Sequence, residues 1–193
     1  FNSKSSGPYA ELSNFYGGVE ACYMKDRFLD TEVKDLIDSF ETLDMSEFIR
    51  YLKELQPNKK DWTPKQLEYW TRNGKPITGI LSKLVGNSVK PDSAASKKRI
   101  AVLKNMLDLP RIAVKPPLSD AEKDALMAKC LRQKYSIPYY KELLLKTGNA
   151  ILHEKPMRGK GTNDYWTFYR DKDNKTYGGN HLGLALMKLR AEL

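Results

Sequence analysis

A mainly helical α+β fold is predicted by two patterns in this 193-residue sequence. Most of the chain repeats its apolar positions every three to four residues, the period of an amphipathic helix. One stretch near the C-terminus, residues 164–169 (DYWTFY), instead alternates polar and aromatic side chains, the period of a half-buried strand. A length of 193 residues with 40% apolar and 30% charged composition suits one soluble domain, so a single domain over 1–193 is expected. Its few short strands are expected near Phe1, Leu152 and Trp166, carrying a site against a helical shell.

The elements follow in order. Gly7-Pro8 marks a turn before Leu12-Ser13-Asn14-Phe15-Tyr16. Gly17-Gly18 then breaks the chain ahead of a helix over 19–28, on which Glu20, Tyr23 and Arg27 share one face. Residues 31–55 read as two amphipathic helices, the second starting at Asp44-Met45-Ser46-Glu47. Thr63-Pro64-Lys65-Gln66 opens a further helix that runs into Tyr69-Trp70 and ends by Gly74-Lys75-Pro76. Residues 77–86 set a single lysine, Lys83, among mostly apolar neighbours.

A basic helix is predicted over 97–107 and an extended, proline-rich connection over 110–117. Ser119-Asp120-Ala121-Glu122 caps the next helix, which reaches Tyr135, and Ile137-Pro138 restarts another. Residues 155–161 form a basic, glycine-bearing loop carrying Arg158 and Lys160. Gly178-Gly179-Asn180-His181 frees the backbone before a last helix with Leu182, Leu186 and Leu189. Asn180 then stands at a helix N-terminus, where loose N–H groups would seat a phosphate or ribose oxygen.

Composition narrows the partners. The 33 basic residues against 24 acidic ones give a net charge of +9 and a pI near 9.4, which favours anionic partners such as nucleic acid or diphosphates. No apolar run approaches the roughly 20 residues needed to span a bilayer, and the N-terminus lacks the build of a signal peptide. A soluble, intracellular protein, cytoplasmic or nuclear, with no membrane and no obligate protein partner is expected. Cys22 and Cys130 lack metal-ligand spacing and the density of a secreted scaffold, and so read as buried thiols. Zinc-site, P-loop, dinucleotide and serine-elbow signatures are missing, so neither metal nor cofactor is expected.

Asp164-Tyr165-Trp166 followed by Gly178-Gly179-Asn180-His181-Leu182-Gly183-Leu184-Ala185-Leu186-Met187-Lys188-Leu189-Arg190 resembles the C-terminal signature of the NADAR family, also called YbiA-like. Leu12-Ser13-Asn14-Phe15-Tyr16 resembles the family's opening motif. Glu20, Tyr23 and Phe28 resemble its E-H-x-Y-Q-x-x-K-F motif, with Ala21, Met24 and Arg27 in place of His, Gln and Lys. Ser82-Lys83 with Gly86 resembles A-K-x-x-G, and Leu152-His153-Glu154 matches L-x-E. Residues 29–75 are longer than the corresponding part of compact family members and read as a helical insertion.

The resemblance implies a YbiA-like domain that hydrolyses an N-glycosidic bond to ribose. Family substrates are riboflavin-pathway phosphoribosyl-aminopyrimidines or ADP-ribose attached to guanine. Such cleavage builds positive charge at the ribose C1′, which a carboxylate beneath the ring stabilises. The implied catalytic residues are Glu20, Lys83 and Asp164, and Glu154 is a further carboxylate. Lys83, if desolvated, would also serve a second route in which the opened ribose is trapped as an imine. Asn14, Phe15, Gly179 and Asn180 would hold the sugar, Tyr23 or Trp166 would stack on a base, and Arg27 would bind diphosphate together with Arg158 and Lys160. Glu20, Lys83, Asp164 and Asn180 are expected to converge on one cleft. The rival class is a module that binds ADP-ribose without cleaving it.

Overall fold

The computed structural model describes residues 18–56, 62–72, 75–89, 93–154 and 165–193. These form α1 (Gly18–Lys25), α2 (Thr31–Ser39), a 3₁₀ turn (Phe40–Thr42), α3 (Met45–Glu54), α4 (Pro64–Tyr69), the pair β1 (Thr71–Arg72) and β2 (Lys75–Pro76), α5 (Gly79–Ser88) and α6 (Ala94–Leu107). There follow α7 (Asp120–Tyr135), α8 (Pro138–Leu145), the pair β3 (Tyr169–Arg170) and β4 (Thr176–Tyr177), and α9 (His181–Glu192). The fold is α+β and mainly helical. Its described residues fall into two compact units divided between Pro117 and Leu118.

The N-terminal unit is built on a core of fully buried side chains. Phe28, Val33, Ile37, Phe40, Phe48, Leu52, Leu55, Leu81, Val85 and Leu103 have at most 1% of their surface in solvent. Each such side chain contributes roughly 1.5–3 kcal/mol of burial. Between 29 and 75 the described residues form α2, the 3₁₀ turn, α3 and α4, followed by β1 and the start of β2, and they are not peripheral. Val33, Leu36, Ile37, Phe40, Phe48, Leu52 and Leu55 make up more than half of this core cluster. Asp44 caps α3 through a reciprocal box: the Glu47 N–H donates to Asp44 Oδ1 at 2.8 Å, and the Asp44 N–H donates to Glu47 Oε2 at 3.4 Å. The proline-rich segment 110–117 is extended, with Leu29 N–H donating to the Ala113 carbonyl and Lys115 N–H to that of Arg27, each at 2.9 Å.

In the C-terminal unit α7, α8 and α9 enclose Met127, Leu131, Tyr135, Tyr140, Leu144, Leu186 and Leu189. Ser119 and Glu122 form the capping box that starts α7, and Pro138 stands at the first position of α8.

The strands are the main departure from the sequence reading. β1 with β2 and β3 with β4 are two antiparallel pairs of two residues each. No strand lies at Leu152, the strand expected near Trp166 is only β3, which begins at Tyr169, and Phe1 lies outside the described residues. The alternation over 164–169 has another physical origin, which the site makes plain. Neither cysteine is a free thiol; both are disulfide-bonded, which corrects the expectation of two buried thiols. Among the described residues no helix is long and apolar enough to cross a membrane.

Candidate functional site

In the N-terminal unit the site is set by how closely α1 approaches α5. Gly86 lies against Met24: a Cβ added at Gly86 would stand 2.7 Å from the Met24 Cβ, so only glycine permits the contact. Glu20 stands one turn before Met24 on α1, and Lys83 one turn before Gly86 on α5. The two side chains meet there, Lys83 Nζ to Glu20 Oε1 at 2.9 Å. Glu20 also lies in the first turn of α1, where its charge favours the helix dipole.

This pair corrects one expectation. Lys83 is not desolvated, because its side chain is 42% exposed and that of Glu20 40%. A lysine in that setting holds and orients a carboxylate. It does not meet the burial that the imine route asks of an amine. Arg27 lies beyond the end of α1, so it does not share a helical face with Glu20 and Tyr23 as predicted. Its Nη1 donates to the Gly86 carbonyl at 3.0 Å and so serves the last turn of α5. Tyr23 is 6% exposed, which leaves little ring face for stacking a base.

The C-terminal unit holds Glu154, Trp166, Gly179 and Asn180. Asn180 precedes α9 in the left-handed conformation (φ 55°, ψ 24°), which asparagine tolerates better than most residues, and its side chain makes no cap bond. Its Nδ2 donates to the Leu152 carbonyl at 3.2 Å, and its Oδ1 is buried with no hydrogen-bond partner among the described residues. Gly183 lies under this amide. A Cβ there would run into the Leu152 carbonyl and stand 2.8 Å from Asn180 Nδ2.

The phosphate seat expected at this helix start is already filled by the chain itself. The N–H groups of Asn180, His181 and Leu182 donate to the carbonyls of Thr167, Tyr165 and Trp166 at 3.0, 3.2 and 3.3 Å. These carbonyls close the start of α9, which is why Tyr165, Trp166 and Thr167 lie outside a strand, while Tyr169 at the end of the alternating stretch opens β3. Trp166 packs edge-on against Tyr165 (ring centroids 4.9 Å apart) and His181 (6.4 Å). Gly179 fits between the Tyr165 carbonyl and the His181 ring. The Glu154 carbonyl accepts from the Phe168 N–H at 2.8 Å. Asn14, Phe15, Asp164, Arg158 and Lys160 lie outside the described residues.

Sequence reasoning missed a pair beside Asn180. His181 Nδ1 lies 3.2 Å from each carboxylate oxygen of Asp124 on α7, and its ring stacks on Tyr165 at 3.7 Å between centroids. The Tyr165 hydroxyl donates to the Asp120 carbonyl at 3.2 Å, and Lys123 Nζ lies 5.3 Å from the Tyr165 ring centroid. A carboxylate on Nδ1 favours the tautomer that leaves Nε2 as an acceptor, an arrangement suited to proton transfer. The available signal was a histidine, one of two in the chain, placed directly after the asparagine of interest. Its partner on α7 could be found only from tertiary structure.

Among the described residues no group of three or more His, Cys, Asp or Glu side chains is placed to hold a metal ion. Compared with family models, curated proteins and solved structures, the chain matches none, so the likeness to NADAR proteins rests on the motifs quoted above.

Proposed function

We propose that this chain is an N-glycosidase of the NADAR type that removes ADP-ribose from guanine bases of nucleic acid. The observation that carries the reading is the Glu20–Lys83 pair, in which the α1–α5 contact holds a partly exposed carboxylate against an ammonium at 2.9 Å. Leaving-group departure puts positive charge on the ribose C1′ and ring oxygen, and a fixed carboxylate under that face lowers the barrier. In this role Glu20 stabilises the oxocarbenium-like state, and Lys83 positions it. The net charge of +9 suits a polyanionic substrate better than a small phosphoribosyl-pyrimidine.

One observation favours the second reading, a module that binds ADP-ribose without cleaving it. Glu20 in a free state would repel a diphosphate, but Lys83 offsets that charge. An intracellular location belongs to the same proposal and has one observation against it. Neither Cys22 nor Cys130 is a free thiol, and disulfides are rare in a reducing cytosol.

The test incubates the full chain with an oligonucleotide carrying guanine-linked ADP-ribose, and separately with a phosphoribosyl-aminopyrimidine. Release of free ADP-ribose that is lost in Glu20→Gln supports the proposal. Turnover of the pyrimidine alone moves the substrate to the riboflavin-type class. Binding of ADP-ribose without turnover of either substrate establishes the module.

A further inference from the structure

α6 is set apart from the other described helices by its charge. Its 14 residues include Lys97, Lys98, Arg99 and Lys104 and no acid, whereas α2, α3, α4, α7, α8 and α9 each mix acidic with basic side chains. One face of α6 is fixed inward. Ser96 and Leu103 are buried, the Ser96 hydroxyl donates to the Asn87 carbonyl at 3.2 Å, and Arg99 Nε donates to the Leu55 carbonyl at 3.0 Å. The opposite face is thereby turned to solvent, with Lys97, Lys98, Ala101 and Asn105 exposed and Lys104 half-buried. Lys97 and Lys104 lie two turns apart on the same side, and neither forms an ion pair among the described residues.

We propose that this face of α6 is a docking surface for the sugar–phosphate backbone of a nucleic acid strand, with Lys97 and Lys104 each meeting a phosphate. At a rise of 1.5 Å per residue the two lysines stand about 10 Å apart along the helix. A strand advances about 3.4 Å per phosphate, so they match phosphates about three nucleotides apart. Ala101 between them has no bulk to hold the backbone off, and the Asn105 amide adds a donor. Helix stability does not account for the pattern, because Lys97 stands toward the positive end of the helix dipole, where a cation costs stability. The exposed face carries no large apolar side chain to insert into a membrane, which favours a strand over a lipid surface. The inference rests on the N-glycosidase reading for its choice of polyanion and deepens it, since α6 bonds to the last turn of α5, the helix that carries Lys83.

The experiment acetylates the intact wild-type chain with and without an unmodified single-stranded oligonucleotide at about 50 mM salt, and locates the modified lysines by peptide mass mapping. With the oligonucleotide at about ten times its Kd, Lys97 and Lys104 should react about tenfold more slowly, while the exposed Lys129 and Lys172 of the C-terminal unit keep their rates. Equal protection of all four lysines, or protection of none, overturns the proposal. Alanine suits a helix, so Lys97→Ala with Lys104→Ala should stay folded, weaken binding at least about tenfold and lower the salt slope by about 1.4 to 1.8. Lys129→Ala with Lys172→Ala removes the same net charge and should change both far less; equal losses in the two pairs overturn the proposal. Vesicles of phosphatidylcholine and phosphatidylserine serve as the lipid arm. Weaker vesicle binding in the α6 pair with oligonucleotide binding unchanged would assign the face to a membrane instead. Because the oligonucleotide carries no ADP-ribose, protection is read apart from turnover: protection at α6 without release of ADP-ribose from a modified strand keeps the surface and removes the N-glycosidase, and release without protection does the reverse.

Discussion

Glu20 and Lys83 can be separated by substitution into a charge role and a shape role. Glu20→Gln keeps the volume and removes the negative charge, so under the proposed reaction it should lower kcat about a hundredfold or more. Its thermal midpoint should hardly move, because half-exposed ion pairs contribute about 0–1 kcal/mol. A variant that keeps full turnover would exclude Glu20 from the chemistry. Asn180 makes the opposite case. Its amide bonds Leu152 within the fold, and its backbone sits at φ 55°, so Asn180→Ala should cost about 1–3 kcal/mol in urea unfolding, while Asn180→Gly should recover the backbone part. Unchanged stability in Asn180→Ala would return the residue to a purely ligand-binding role. Both positions could be picked out in the sequence, since each is a polar residue in an apolar frame. Their partners could not, because the Met24–Gly86 contact and the Leu152 carbonyl depend on long-range packing that no local pattern encodes.

At the scale of elements, what was legible followed the strength of the local signal. α3, α7 and α8 begin within a residue or so of where their caps and prolines put them, since a capping box or a first-turn proline specifies its own geometry. β1, β2 and β4 were missed because two residues cannot display an alternation, whereas β3 begins at Tyr169, the last residue of the alternating stretch. The alternation over 164–169 misled because closing a helix start also uses up a segment's carbonyls. The α7 cap gives a test with a definite sign. The Ser119 hydroxyl, and then the Ser119 backbone N–H, hold the Glu122 carboxyl below its ordinary value of 4.5. A depressed carboxylate adds stability in full above that ordinary value and loses it as pH falls through the folded-state value. The stability difference between wild type and Glu122→Ala should therefore be largest near about pH 7 and shrink toward about pH 3. A difference that stays constant with pH would assign the cap to the serine alone. Gly86→Ala, by contrast, forces α1 and α5 apart at every pH and should cost about 1–3 kcal/mol while parting Glu20 from Lys83.

For the molecule as a whole, charge carries the substrate argument, and it too can be tested. Among the described residues most ion pairs match one lysine or arginine with one acid, as in Lys25–Asp38, Arg50–Glu54 and Lys146–Glu142, so pairing leaves the excess of nine positive charges in place. A nucleic acid strand that meets this excess releases condensed counterions. The logarithm of its binding constant then falls by about 0.7 to 0.9 per phosphate for each decade of salt. Contact with three phosphates should thus weaken binding of a guanine-ADP-ribosylated oligonucleotide by about twenty- to fortyfold between about 50 and 200 mM salt, and more contacts by more. Free ADP-ribose, with two phosphates and no strand, should weaken much less over the same range. Measuring both by titration calorimetry on Glu20→Gln keeps the substrate intact while the affinity is read. Equal salt slopes for the oligonucleotide and for free ADP-ribose would mean that only the nucleotide is gripped, and would remove the support that the basic charge gives to a nucleic acid substrate.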